Sequence, residues 1–319
     1  MSGTTGPNTD LGDPEESPVQ DCENCVAPAE AFSVIANETR LSILEALWQA
    51  PDRPVTFSDL RRDVGMADSA QFNYHLKQLT DHFVVRTDDG YDFRQAGKKV
   101  VRAILAGSFN EHPEMGPFEI EGTCADCGAN LQAYYDDEML AIDCTDCGKN
   151  HGRYPFPPGG LNDRSREEIM DAFNQRVRHL HCLAADGVCP ECNGRMTTTV
   201  TRDAEDYLGL EVRVDHECEQ CRHQLYSAVG LSLLDQSDVV TFHREHGVDL
   251  CTTPYWRLAW CVSDQHTTIL SADPWKLRVE IPLDDETLSV TLDGELNVLE
   301  LDRTCGSASP DDGAQAISD

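Results

Sequence analysis

SAQFNYHLKQLTDHFVVRTDDGYDF, residues 69–93, places a helix directly before a hairpin. Phe72, Leu76, Leu79 and Phe83 recur three or four residues apart, which is one apolar face of a helix. Two short extended runs then flank Asp89-Gly90, a dipeptide suited to a tight hairpin turn. Upstream, the turn Gly65–Asp68 separates this helix from one opened by Thr56, with Asp59 three residues on as its capping-box partner and Leu60 facing inward. Before Pro51, two more helices are predicted from Phe32 and Ile35, then Leu41, Leu44, Leu47 and Trp48, with Asn37 placed to cap the second. Downstream, Gln95 to Gly107 predicts a last helix that buries Val100, Val101, Ile104 and Leu105. That is more apolar surface than an 80-residue domain need bury, so this face is expected to pair two copies, or else to pack on the domain's own first helix or on the first ribbon downstream.

Helix, helix, short turn, helix, hairpin is the order of a winged helix-turn-helix, here over residues 28–107. The stretches "ANETRLSILEAL" (36–47), "FSDLRRDVG" (57–65) and "NYHLKQLTDHFVVRTDDGYDF" (73–93) also resemble the ArsR-like winged-helix regulators, and "QFNYHL" resembles the branch common in halophilic archaea. The resemblance covers about 80 of the 319 residues. It implies a homodimeric domain that binds double-stranded DNA, with a recognition helix matching Ser69 to Asp81. Metal-sensing members carry a Cys motif in this domain, but no Cys occurs between Cys25 and Cys124, so metal sensing there is not implied. With Phe72, Leu76 and Leu79 turned inward, Gln71, Tyr74 and Lys77 face outward and Asn73 lies at the flank. Ser69, Gln71, Asn73 and Tyr74 are therefore the expected base readers, because Gln and Asn side chains can pair bidentately with adenine. Lys77 is expected on phosphate, and Arg86, Lys98, Lys99 and Arg102 are expected to add backbone contacts.

Charge sets this segment apart. The chain carries 57 Asp+Glu against 25 Lys+Arg, a formal charge of -32, and only five of its basic residues are Lys. Such a surface repels nucleic acid. Acid excess with little Lys is read here as adaptation to molar salt, where the Debye length is about 3 Å. Residues 28–107 nevertheless hold ten Lys+Arg against eleven Asp+Glu, while residues 108–319 hold fifteen against forty. A near-neutral module inside an acidic chain is what a nucleic-acid-binding domain would show. Residues 1–27 and 304–319 read as loose tails. No window approaches the roughly 20 apolar residues of a spanning helix, and the first basic side chain is Arg40, so a cytoplasmic protein without membrane contact is expected.

Ten of the fourteen cysteines stand in Cys-x-x-Cys pairs. Cys124 and Cys127 are followed by Cys144 and Cys147; Cys189 and Cys192 are followed by Cys218 and Cys221. Each quartet offers four thiolates for tetrahedral Zn²⁺, with hairpin-forming sequence between the pairs, clearest at Leu208, Leu210, Val212 and Val214. Four protein ligands leave no position for a water nucleophile, so two structural zinc sites are expected rather than catalysts. Cys22 and Cys25 form a fifth pair with no second half, read as a tail pair without a fixed ligand role or, in the alternative, as part of a third metal site completed across a dimer or by His. Cys182, Cys251, Cys261 and Cys305 read as small buried hydrophobes.

The expected fold class is α+β. After the winged helix come a linker (108–117), a first zinc ribbon (118–160), a connecting helix (161–186), a second ribbon (187–230), and a helix plus antiparallel β module (231–303). The connecting helix has a capping box at Ser165 and Glu168 and an apolar face at Ile169, Phe173, Val177 and Leu180. In the last module, "YWRLAWCV", "TTILSA", "KLRVEIPL", "ETLSVTL" and "NVLELDR" read as successive strands, with Trp256, Trp260 and Trp275 in the core. No P-loop, GxGxxG, HExxH or GxSxG motif is present, so no enzyme is expected. The primary reading is a sequence-specific transcriptional regulator with no effector identified. The alternative is a basal transcription component or adaptor, since archaeal transcription factor E also joins a winged helix to a zinc ribbon.

Overall fold

The computed structural model describes residues 26–202 and 208–305. The chain divides into two compact units between Ala103 and Ile104.

Unit 1 contains α1 (Pro28–Ile35), α2 (Glu38–Gln49), α3 (Phe57–Asp63), α4 (Ser69–Leu79), the hairpin β1 (Val84–Thr87) and β2 (Gly90–Phe93), and most of α5 (Gln95–Leu105). Its helices begin where a side chain satisfies the free N–H groups of the first turn. Asn37 Oδ1 accepts from Arg40 N at 3.2 Å, and Thr56 Oγ1 accepts from Asp59 N at 3.2 Å. The cap of α4, absent from the sequence reading, is Asp68, whose Oδ1 accepts from Ala70 N at 2.8 Å and Gln71 N at 3.1 Å. Ile43, Leu44, Leu47, Leu60, Phe72 and Leu79 are fully buried, and Phe57 meets Phe72 edge-on at 5.1 Å. Val55 exchanges two backbone hydrogen bonds with Tyr91, so a single residue adds a third extended segment to the hairpin. Gly90 has φ +147, and a Cβ there would collide with the Val55 carbonyl.

Three expectations in this unit need correction. Thr87 pairs with Gly90, so the hairpin turns on Asp88-Asp89 and Gly90 opens the second strand. Phe32 is 68% exposed, while Val34 is the buried residue of α1. Of the four apolar residues assigned to the core from α5, only Val101 is buried; Val100 and Ile104 are half-buried and Leu105 is 57% exposed. Helical spacing identifies an apolar face but not whether a partner covers it.

Unit 2 contains three antiparallel sheets, with one long helix and two short ones between them. The first sheet runs β3 (Met115–Thr123), β4 (Asn130–Asp136), β5 (Met139–Cys144), β6 (Asn150–Pro155) as a meander. After α6 (Arg166–Ala185) come β7 (Met196–Arg202), β8 (Val212–Cys218) and β9 (Gln224–Ser227), then α7 (Ser237–Glu245) and α8 (Ala259–Val262). The last sheet is a second four-stranded meander, β10 (Thr267–Ala272), β11 (Trp275–Leu283), β12 (Glu286–Asp293), β13 (Val298–Cys305). The expected capping box is present: Ser165 Oγ accepts from Glu168 N and the Glu168 carboxylate accepts from Ser165 N.

The spans expected as separate modules share one hydrophobic core. Phe173, at the middle of α6, packs its ring against Tyr154, Phe156, Tyr255 and Trp256. The residues 255–262 expected as a strand instead form a 3-10 turn (Tyr255–Arg257) and α8. Tyr255, Trp256, Trp260 and Cys261 are all buried there, and burial on every side leaves no strand alternation to maintain. Leu208 and Leu210 lie before β8 rather than in it. Strand β3 takes in the end of the span assigned to a linker, and β13 runs through Cys305. Among the isolated cysteines only Cys261 is buried; Cys182 is intermediate, and Cys251 and Cys305 are exposed. Cys22 and Cys25 lie outside the described residues. Among the described residues no helix is long and apolar enough to cross a membrane.

Candidate metal centres and nucleic-acid interface

Each quartet is assembled from two knuckles. One sits at a hairpin end or strand start and the other follows a strand, so that β-pairing brings distant cysteines together. Leu131 faces Cys144 across β4–β5, and Met196 faces Cys218 across β7–β8. In every knuckle the N–H of the first Cys donates to the carbonyl five residues on: Cys124 to Ala129, Cys144 to Lys149, Cys189 to Gly194 and Cys218 to His223. The residue after the second Cys is left-handed in all four, at Gly128, Gly148, Asn193 and Arg222.

The sulfur geometry fits a tetrahedral ion. In the first group Sγ separations are 3.7 Å for Cys124–Cys147, 3.4 Å for Cys127–Cys144 and 3.5 Å for Cys127–Cys147. In the second they are 3.6 Å for Cys189–Cys221 and 3.5 Å for Cys192–Cys218. Metal–sulfur bonds of about 2.3 Å set tetrahedral sulfurs about 3.8 Å apart; a disulfide needs about 2.05 Å. All four ligand atoms of each group lie within 4.8 Å of one another, and each group fits one zinc ion. Backbone N–H groups also favour thiolates. The N–H of Cys221, 3.4 Å from the Cys218 sulfur, brings that thiol down to about 6. At Cys144 burial opposes the same shift, and the N–H groups of Asp146 and Cys147 act together with the Cys127 and Cys147 thiols to bring that thiol down to about 6.

Around the first group runs a clasp that the sequence reading missed. Lys149 Nζ donates to both carboxylate oxygens of Asp126 at 2.9 and 2.8 Å, and Gln265 Nε2 donates to Asp126 Oδ1 at 3.0 Å. The pattern Cys-x-Asp-Cys with Cys-Gly-Lys carried the signal for the ion pair; Gln265, 139 residues from Asp126, carried none.

In unit 1, Ser69, Gln71, Tyr74 and Lys77 are exposed along α4 and Asn73 is half-buried. Tyr74 is 61% exposed, with its ring edge-on to His75 at 5.3 Å. Arg86 is exposed on β1, Lys98 half-buried and Lys99 exposed on α5. Arg102 is already engaged, its guanidinium lying over the Trp48 ring at 5.9 Å. The four exposed α4 residues thus share one helix, while Arg86 and the two lysines stand on other elements.

Comparison with curated proteins finds no match. Residues 28–104 match a family described as domain of unknown function DUF7347, a span that coincides with the described helices and hairpin of unit 1. Residues 121–298 match a second family inside unit 2, and because that match spans more than half of the chain, the protein belongs to the family described as domain of unknown function DUF7351.

Proposed function

We propose that the protein is a sequence-specific, DNA-binding transcriptional regulator of the cytoplasm, with unit 1 as a winged helix-turn-helix and unit 2 held by two structural zinc ions. The observation that carries this reading is the solvent face of α4. Gln71, Tyr74 and Lys77 stand exposed on a helix that is capped at its N-terminus and fixed by buried Phe72, Leu76 and Leu79. Such a helix suits the major groove, with Gln71, Tyr74 and Ser69 reading base edges, Asn73 at the flank and Lys77 on phosphate. Arg86, Lys98 and Lys99 add backbone contacts. In molar salt counterion release contributes little, so base contacts and shape carry more of the affinity. Exposed Leu105 and half-buried Val100 and Ile104 on α5 supply apolar surface for a homodimer.

The test is selection from random duplexes in high salt with wild type and Gln71→Ala. Wild type should select a two-fold site, and the variant should relax one position in each half-site, a loss of about 1–3 kcal/mol of discrimination. Absence of sequence preference, or an unchanged preference in Gln71→Ala, rejects the reading. One observation favours the adaptor reading: edge strand β13 exposes Val298, Leu299 and Leu301, an apolar edge of the sort that pairs with another protein. Genome-wide occupancy at every promoter, rather than at a few sites, would support it.

A further inference from the structure

The two four-cysteine groups share one backbone plan and differ in what else holds it. In the first, both left-handed positions are glycines, Gly128 at φ +75 and Gly148 at φ +71. In the second they are Asn193 at φ +60 and Arg222 at φ +62. Glycine enters this region without penalty and Asn tolerates it, but a long side chain such as Arg is strained there. The second group therefore keeps a strained turn that its sulfurs must hold in place.

The side chains differ in the same sense. Asp126 and Lys149 sit at opposite knuckles of the first group, and their ion pair joins the two halves whether or not an ion is bound. The Lys149 side chain is only 9% exposed, which strengthens the pair relative to a surface one. At the corresponding positions the second group has Glu191 and His223. Among the described residues, Glu191 is exposed and forms no ion pair, and His223 Nε2 is buried with no hydrogen-bond partner. Arg222, in the turn after β8, pairs with Glu217 near the end of that strand at 2.9 Å, within the same half of the group, so it ties nothing across the site. One backbone hydrogen bond links the halves beside each group, Thr145 N to Asn130 O in the first and Glu219 N to Arg195 O in the second. Each group adds a threonine hydroxyl to it, Thr145 Oγ1 to Asn130 O at 3.0 Å and Thr197 Oγ1 to Glu217 O at 3.1 Å, but among the described residues only the first adds an ion pair across its halves.

We propose that the second group is an exchangeable zinc site, which gives up its ion to a competing chelator and takes up a divalent d¹⁰ ion in return, while the first is a permanent fastener. Asp126, Lys149 and Gln265 are the residues that position the first. The order of β7–β9 then follows the free-metal level, which gives unit 2 a metal-responsive element. The proposal rests on the reading that both quartets bind zinc.

The experiment uses the full chain loaded with zinc and an excess of a metallochromic chelator, 4-(2-pyridylazo)resorcinol, with release followed by absorbance. Two phases of one zinc each are expected, their rates separated by about tenfold or more, the size of effect that groups around metal ligands exert. Asn193→Gly with Arg222→Gly should slow the fast phase. Asp126→Asn, which keeps the shape and the acceptor for Gln265, should quicken the slow phase and leave the fast one unchanged; Lys149→Met should do the same. A single rate for both ions, or clasp variants that accelerate the fast phase, overturns the proposal. Fewer than two zinc ions per chain before the dye is added rejects the two-site reading and this proposal with it; two ions released at one rate rejects this proposal alone.

Discussion

Unit 1 closes on Ile43, Leu44, Leu47, Leu60, Phe72 and Leu79, starts three helices with side-chain caps, and has no cysteine among its described residues. Unit 2 is far more acidic, with fifteen basic residues against forty acidic ones beyond residue 107, and ties its short hairpins at two four-cysteine groups. Self-repulsion works against a compact acidic unit. Hairpins of this length are marginal alone, and bound metal contributes directly to folding. The contrast is between two apolar cores with different fastenings: helix ends satisfied by side-chain caps in unit 1, and short hairpins that meet at two four-cysteine groups, each fitting a zinc ion, in unit 2.

The largest expected effect follows from removing a metal ligand. Structural zinc contributes on the order of 10 to 16 kcal/mol to small modules, so Cys144→Ser should empty the first site and abolish the calorimetric transition of unit 2. Because Cys144 lies in the core that also contains Phe173, Tyr255 and Leu277, the loss should extend beyond the first ribbon. Unit 1 should keep its own transition. If it melts together with unit 2 in the variant, the two fastenings are not separate and the contrast fails.

That shared core marks the boundary of what was legible beforehand. Cap residues Asn37, Thr56 and Ser165, the eight clustered cysteines and the strands β10 to β13 all announce themselves within a few residues, because caps, knuckles and turns are local devices. Phe173 on Trp256, Trp256 Nε1 donating to Glu121 O at 3.0 Å, and Gln265 on Asp126 join segments 80 or more residues apart, and periodicity carries no information about partners at that distance. The exposed side of α4 was readable since it needs only the direction of 100° per residue. Exposed Phe32 was not, since an apolar face reads alike whether covered or bare.

Acid sharpens the contrast by a smaller amount. His181 is fully buried on α6, its Nε2 3.0 Å from the Tyr154 hydroxyl, and burial lowers its pKa from 6.5 to about 3. His151 on β6 is lowered to about 4, again chiefly by burial, with neither ring nitrogen hydrogen-bonded. Both are neutral in the folded unit, and the unfolded chain takes up their protons first. Their contribution is therefore complete above pH 6.5 and is lost as pH falls toward 4 and 3, at about 1.4 kcal/mol per pH unit for each. Urea titrations between pH 7 and pH 4.5 should show unit 2 weakening in this window, with a shallower slope in His181→Phe. An identical slope in the variant would mean that the acid sensitivity belongs elsewhere.

The smallest effect tests unit 1 on its own terms. Asp68 starts α4 by accepting from Gln71 N and Ala70 N, and those two bonds hold its carboxyl below the ordinary value of 3.8. A folded pKa below the unfolded one means that the cap's contribution is present above the ordinary carboxylate range and disappears as pH falls through the lowered value. Asp68→Ala leaves the two N–H groups to water, so the transition of unit 1 should fall by a few degrees, the scale of a lost cap, while zinc content and the unit 2 transition stay unchanged. Asp68→Asn keeps an acceptor at the same place, so it should retain most of the stability at neutral pH and lose the acid dependence. A drop in Asp68→Asn as large as in Asp68→Ala would show that charge at the helix start, rather than the hydrogen bonds, stabilises α4. The solvent face that carries Gln71, Tyr74 and Lys77 would then depend on salt, and in molar salt it would have to be held by Phe72, Leu76 and Leu79 alone.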